Sequence, residues 1–504
     1  MISKSLKNCT PNTTDKSYRD ELYLKALKGK AMLSFAINRR EISLEGIEKA
    51  IDFAILKYGK RSNEAVDVML EKAYLLMKFG KSYSRIEEYI ESIRKLMNND
   101  KSHLSYIRLI KTFGSLKWYQ GEYEESKKYY EELIDIAEAN EDEYYYYYMM
   151  MEYALVCQYT GDYKKAVEYY ELALEYFISV NHKEYIASIY EDLATVMNRT
   201  GIMEKAIEYL NKSKTIYKEI GHKHRSFSNA INLGISYARM GDLKRALSYF
   251  KDAYEIGQIN GDNDEMGMAA NNIGLVYYNQ GKLDDALKKF MMKLEIAEGI
   301  EDKKGIIVAL ANISLIYYYK KDYVRSLDCA KRMAEITRET KDPYYEAMAY
   351  STMGNIYRCK KQHKTSEKYF NKAIIIFEKI EAVSDTAETY IYKAELLLAL
   401  KKFRESRELL TKALDITQKR NIHKQTLQAK KVMGMIDIEE ANLEQALKNL
   451  SFANEMALKR EYILERGFIL QVMQNLYLKK GELKQAQVYK NQAEKILKAA
   501  GVPV

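Results

Sequence analysis

Apolar side chains recur at helical spacing along most of the chain. Met266, Ala270, Ile273 and Tyr277 mark one stripe, and Leu283, Ala286, Leu287, Phe290, Leu294 and Ala297 mark the next. Between the two stripes stands Gly281, where the chain must turn. The same punctuation returns every forty residues: Gly121, Gly161, Gly201, Gly241 and Gly281, then Lys321, Lys361, Lys401 and Ala441 in the same place, and finally Gly481. Five residues after each turn lies a small side chain, from Ser126, Ala166 and Ala206 to Ala446 and Ala486. Seven residues before it lies another, from Gly114, Ala154 and Ala194 to Ala394 and Gly434. Two antiparallel helices approach closely only where the side chains at their crossing are small, so the pattern predicts one helical hairpin per repeat. A glycine in the turn supplies left-handed backbone.

The frame covers roughly residues 20 to 500, or about twelve hairpins. Ser34 and Gly46 take the small positions of the first. A disordered tail over residues 1–16 and stacked helices over 17–500 are therefore expected. Helix boundaries are legible in places: Asp342 before Pro343 reads as a cap followed by a first-turn proline. At the other end, Lys495 and Lys498 oppose the dipole of the last helix, which Gly501 and Pro503 close. HEAT-like arrays share the period but not the paired small residues around the turn.

Composition agrees with an all-α chain, since only Pro11, Pro343 and Pro503 interrupt 504 residues. Cys9, Cys157, Cys329 and Cys359 form no C-x-x-C pair, which argues against a zinc site or disulfide framework and fits a reducing compartment. With no apolar run of membrane-spanning length and no apolar stretch behind the N-terminal lysines, a cytoplasmic location is expected. Of the net charge of +9, residues 401–504 carry +8, from 20 Lys and Arg against 12 Asp and Glu. Such a basic end could meet an anionic partner, although lysines on outer helix faces ordinarily serve solubility.

The segment AINLGISYARMGDLKRALSYFKDAYEIG, residues 230–257, resembles the tetratricopeptide repeat at Leu233, Gly234, Tyr237, Gly241, Ala246, Phe250 and Ala253. The common unit of that family is about 34 residues. This longer unit is similar to the branch seen in kinesin light chain, in LGN-type polarity adaptors and in bacterial peptide-sensing regulators. The resemblance implies a right-handed α-α superhelical solenoid whose first helices line a concave groove. It also implies protein or peptide partners.

On those first helices, Asn232, Asn272 and Asn312 stand forty residues apart. A carboxamide both donates and accepts, so a ladder of them suits the backbone of an extended peptide. Helices pack about 8–10 Å apart and an extended chain advances about 3.3 Å per residue, so one rung serves about every third peptide residue. Asn271 completes the string Asn271, Asn272, Ile273, Gly274 and Tyr277 that kinesin light chain-like repeats carry. Arg239, Asn279 and Tyr319 lie two turns beyond the rungs and widen the polar strip. The competing reading is that these amides only solvate the surface or bond their own backbone. A second candidate is the run Tyr144, Tyr145, Tyr146, Tyr147 and Tyr148. At 100° per residue it sweeps round the helix, so some rings face outward and offer a partner patch.

No phosphate-binding glycine loop and no metal-ligand spacing appears, so neither enzyme activity nor a cofactor or metal is expected. The expected role is a non-enzymatic scaffold that binds a protein segment or peptide in its groove. The alternative is a regulatory sensor whose array changes pitch when a signalling peptide binds. A small-molecule substrate, nucleic acid and membrane insertion are not expected.

Overall fold

The computed structural model describes residues 13–503 other than 37–39, 80, 81, 99, 101–104, 222–224, 341, 381 and 421. Among these residues 24 helices and no strand are found. Residues 1–216 and 217–504 form two compact units. Unit 1 pairs α1 (Thr13–Ala36) with α2 (Arg40–Tyr58), α3 (Asn63–Lys78) with α4 (Tyr83–Leu96), and α5 (Tyr106–Gln120) with α6 (Tyr123–Ala139). It continues with α7 (Glu143–Thr160) and α8 (Tyr163–Ser179), then α9 (Lys183–Thr200) and α10 (Met203–Glu219), the last of which crosses the unit boundary. Unit 2 holds α11 (Arg225–Met240), α12 (Leu243–Asn260), α13 (Asn263–Asn279), α14 (Leu283–Gly299), α15 (Lys303–Tyr319), α16 (Tyr323–Thr340) and α17 (Pro343–Cys359). Its remaining helices are α18 (His363–Lys379), α19 (Val383–Ala399), α20 (Phe403–Lys419), α21 (His423–Glu439), α22 (Leu443–Lys459), α23 (Ile463–Lys479) and α24 (Leu483–Ala499).

Each predicted turn is left-handed. Gly121, Gly161, Gly201 and Gly241 have φ between 80° and 90°, and Lys321, Lys361, Lys401 and Ala441 hold 57–59° in the same place. The amide after the turn then reaches back five residues, as Glu122 N–H does to the Lys117 carbonyl at 2.9 Å. A second left-handed set joins one hairpin to the next, at Glu141 (φ 54°), Asn181 (53°), Glu301 (56°) and Glu461 (56°). Gly221 (70°) and Gly261 (66°) hold the same place, and the non-glycine residues hide the other joints in the sequence. The expected start of α17 is present: the Asp342 carboxylate accepts from Tyr344 N–H at 3.1 Å and Tyr345 N–H at 3.3 Å, ahead of Pro343. Asp142, Asp162 and Asp242 cap α7, α8 and α12 in the same manner.

The small positions let one bulky side chain fill each hairpin. A methyl group added at Gly234, Gly274 or Gly354 would approach Phe250, Phe290 or Phe370 to 2.5, 2.6 or 2.7 Å. Where the second small residue is serine, its hydroxyl is satisfied at the crossing. Ser126 donates to the Gly114 carbonyl at 2.8 Å and Ser366 to that of Gly354 at 2.7 Å.

The N-terminal hairpin departs from the frame. Helix α1 begins at Thr13, inside the tail expected to be disordered, and residues 1–12 lie outside the described residues. The small pair is not Ser34 with Gly46: a methyl at Gly46 would meet Ala31 Cβ at 3.2 Å, and Ser43 donates to the Ala31 carbonyl at 2.9 Å. The sequence between the two helices holds no glycine, and contact at the crossing sets the register.

Unit 2 closes on itself. The start of α23 and the end of α24 return to the α13–α14 turn, where Leu464, Leu497, Ala500 and Val502 share a core with Tyr278, Leu283, Phe290 and Ile313. At Gly281 an added methyl would touch Ile463 at 3.3 Å and Ala500 at 3.5 Å. Within the ring, first helices of successive hairpins from α15 to α23 touch one another.

Candidate binding faces

In unit 1 the first helices α1, α3, α5 and α7 line an open groove of about 530 Å³. Its walls combine Met32, Leu70, Met77 and Val156 with the rings of Tyr74, Trp118, Tyr119 and Tyr148. Three acids cross the floor, each held by a cation on one side: Asp67 by Arg108 at 3.0 Å, Glu71 by Lys28 at 2.7 Å and Glu152 by Lys111 at 3.4 Å. The other oxygen of two of them is buried without a hydrogen-bond partner, Asp67 Oδ1 and Glu71 Oε2, and so is the indole nitrogen Trp118 Nε1. A buried polar group left unpaired costs about 1–3 kcal/mol, and here one donor and two acceptors on groove-lining residues have no internal partner.

The predicted amides of unit 2 lie on the first helices α11, α13 and α15. Asn232, Asn271, Asn272 and Asn312 are half-buried, while Arg239 and Asn279 are exposed. Asn272 Nδ2 donates to its own helix at the Met268 carbonyl (3.0 Å), and Asn312 Nδ2 donates to Asn271 Oδ1 on the neighbouring first helix (2.8 Å). The rung between α13 and α15 is thus Asn271 to Asn312, and Asn312 borders a cavity of about 180 Å³. Asn232 accepts at its backbone carbonyl from Ser236 Oγ at 2.8 Å.

Tyr319 is drawn into the ring closure. Its hydroxyl lies 3.2 Å from that of Tyr278, and its ring stacks on Phe468 with centroids 5.8 Å apart. Burial pushes both hydroxyls well above the ordinary tyrosine range, with Tyr278 also raised by Glu465. Tyr278, Tyr318 and Arg358 are themselves forty residues apart. The forty-residue period carries this set too, and Arg358 Nη2 donates to the Tyr318 hydroxyl at 3.0 Å.

The tyrosine run divides. Tyr144 is 42% exposed, whereas Tyr145 to Tyr148 are half-buried among neighbouring helices. Tyr147 stacks on Tyr176 at 4.4 Å and Tyr148 on Tyr185 at 5.4 Å. Lys111 donates to the Tyr148 hydroxyl, placing that ring in the groove wall. The groove residues themselves went unread because their types change from hairpin to hairpin. Only their register, on first helices before each turn, marks them.

Family models described as tetratricopeptide repeat match residues 106–179, 144–219, 185–259 and 345–419, and residues 231–294. Together these span just over half of the 504 residues. No curated protein sequence matches the chain. Among solved structures, a Rap protein complexed with competence and sporulation factor is similar over 72% of this chain and 99% of its own, at 16% identity and a TM-score of 0.49. The apo form of the quorum sensor NprR from B. thuringiensis is similar over 70% and 99%, at 16% identity and 0.49. Human IFIT1, in a dimer with m7Gppp-AAAA, is similar over 90% and 94%, at 14% identity and 0.45. No helix among the described residues is long and apolar enough to cross a membrane.

Proposed function

Because the chain belongs to the tetratricopeptide repeat family, whose arrays act as protein-interaction scaffolds, we propose that it holds an extended segment of a partner polypeptide in the groove of unit 1. The observation that carries the reading is the trio of unpartnered polar atoms, Trp118 Nε1, Asp67 Oδ1 and Glu71 Oε2, on residues lining a groove that sets aromatic and aliphatic walls beside ion-paired acids. An extended backbone presents N–H and C=O in alternation. Its carbonyls suit the indole N–H, its amides suit the carboxylate oxygens, and its side chains suit the aromatic walls. Tyr144 offers an exposed ring to the same partner. In unit 2 the strip of Asn232, Asn271, Asn272, Asn312, Arg239 and Asn279 is the second place where a backbone would be read, while Tyr319 is taken up by the ring closure.

Trp118 is the only tryptophan, so its emission reports on the groove directly. Peptides selected from a random library on the full chain should shift that emission. They should bind on the order of tenfold more weakly to an Asp67→Asn, Glu71→Gln variant, a loss near 1.4 kcal/mol. Binders that leave Trp118 unchanged and tolerate the variant would remove the groove from the account. Unaltered affinity in an Asn232→Ala, Asn272→Ala, Asn312→Ala variant would remove the amide strip.

A further inference from the structure

The closed ring of unit 2 encloses polar chemistry that the groove of unit 1 does not use. One stripe of α19 carries Asp385, Glu388, Tyr392 and Glu395, spaced as neighbours on a helix face. At 1.5 Å per residue, Glu388 and Glu395 stand about 10 Å apart along the axis. The stripe runs past two adjoining cavities of about 180 and 250 Å³, which share Leu315, Tyr318 and Tyr392 in their walls.

The two ends differ in charge. In the larger cavity, whose wall also holds Lys321 and a Glu465 carboxylate paired with Lys424, Arg358 Nη2 lies 2.8 Å and Lys431 Nζ 3.1 Å from the Glu395 carboxylate, so these two cations share one anion. Their side chains keep only 17% and 20% of their surface, and that of Glu395 14%. The smaller cavity has Asp385 and Glu388 in its wall and no cationic side chain among the described residues. Hydroxyls serve them instead: Tyr344 donates to Asp385 at 3.3 Å and Tyr392 to Glu388 at 2.7 Å. Lys424, whose field reaches Glu388, is held by Glu465 at 2.9 Å. Burial and the Glu388 charge together raise the Asp385 carboxyl above the ordinary aspartate range, as a shortage of cations there requires. In the larger cavity the side-chain oxygen of Gln428 is buried without a hydrogen-bond partner.

We propose that the interior of unit 2 binds a small zwitterion about the length of a tripeptide. Its ammonium lies at Asp385 and Glu388, its carboxylate at Arg358 and Lys431, and Gln428 accepts from an N–H between them. Because Arg358 and Lys431 lie 2.8 and 3.1 Å from Glu395, the axial spacing of about 10 Å between Glu388 and Glu395 sets the scale between the two ends, about three residues of extended chain. The two volumes together reach only the lower part of the ~300–1,000 Å³ range of ligand pockets, which suits a small molecule rather than a long segment. Charged groups of low exposure attract an opposite charge more strongly than surface groups do.

The test is a thermal melt of the full chain with a synthetic pool of free tripeptides, followed by calorimetry on members that raise the melting temperature. The same pool acetylated at its N-terminus or amidated at its C-terminus should bind on the order of tenfold more weakly. Asp385→Asn and Lys431→Met should each weaken binding by a similar factor, and Lys431→Arg should restore most of it, with melting temperatures confirming that each variant folds. 6-Aminohexanoate, which has no internal N–H, should bind more weakly than the tripeptides, and equal binding would overturn the role given to Gln428. No melting shift with the free pool, or binding indifferent to both blocked termini, would overturn the proposal. The groove substitutions Asp67→Asn and Glu71→Gln should leave tripeptide binding unchanged, and a loss there would place the ligand in unit 1 and also overturn it.

Discussion

Lys424 donates to the hydroxyl of Tyr278 at 3.1 Å across 146 residues of sequence. The same ammonium is 2.9 Å from Glu465 and lies over the Tyr278 ring, 5.0 Å from its centroid. One side chain on α21 therefore ties α13 to α23, and with the stack of Tyr319 on Phe468 it closes the interior of unit 2. The inner face is consequently occupied by its own residues where α13 and α15 meet α23, while the first helices of unit 1 keep an open groove.

Replacing Lys424 with methionine should destabilise unit 2, because Glu465 keeps only 9% of its side-chain surface and would lose its cation. Breaking a buried pair from one side costs about 3–5 kcal/mol. Lys424 itself remains 30% exposed, so about 2 kcal/mol is expected. Denaturant unfolding of Lys424→Met checks it, and Lys424→Met with Glu465→Gln should recover part of the loss. A single variant as stable as the native chain would show that the closure rests on its apolar core alone.

The hairpin crossings and the turns should respond in opposite directions. Gly354→Ala drives a methyl group to 2.7 Å from the Phe370 ring and should cost about 1–3 kcal/mol, with Phe370→Leu relieving part of the strain. Lys361→Gly, only seven residues on, replaces a side chain held at φ 57°. Left-handed backbone costs a non-glycine residue about 1–2 kcal/mol, and the added chain entropy of glycine offsets about half of that. The melting temperature should fall in the first variant and rise slightly in the second.

Asp385 makes stability depend on pH. Its carboxyl is raised by burial and then by Glu388, so the folded chain holds that proton more tightly than the unfolded chain does. Stability is therefore lost as pH rises from the ordinary aspartate pKa, about 3.9, through the raised value, and stays lost above it. Asp385→Asn keeps an acceptor for the Tyr344 hydroxyl and removes the charge. The variant should melt higher than the native chain at neutral pH, and the gap should close as pH falls below the ordinary aspartate range. A gap that does not vary with pH would assign the effect to something other than ionisation.

Residue order alone was sufficient for the hairpins and their turns. A left-handed residue, a small side chain before it and another after it act through steric contacts within one hairpin, so a forty-residue period displays them directly. Gly274 and Phe290 illustrate this, being sixteen residues apart and in contact in one hairpin. The amide positions were legible for the same reason, but their hydrogen bonds were not. Asn272 turns to Met268 in its own helix while Asn271 meets Asn312, a choice made by rotamers between two helices. Folding in three dimensions settled the shift to Ala31 and Ser43 in the first hairpin, the division at residue 216 and the approach of Lys424 to Tyr278. Such contacts depend on small rotations between hairpins that add up over many repeats, and no single repeat encodes their sum.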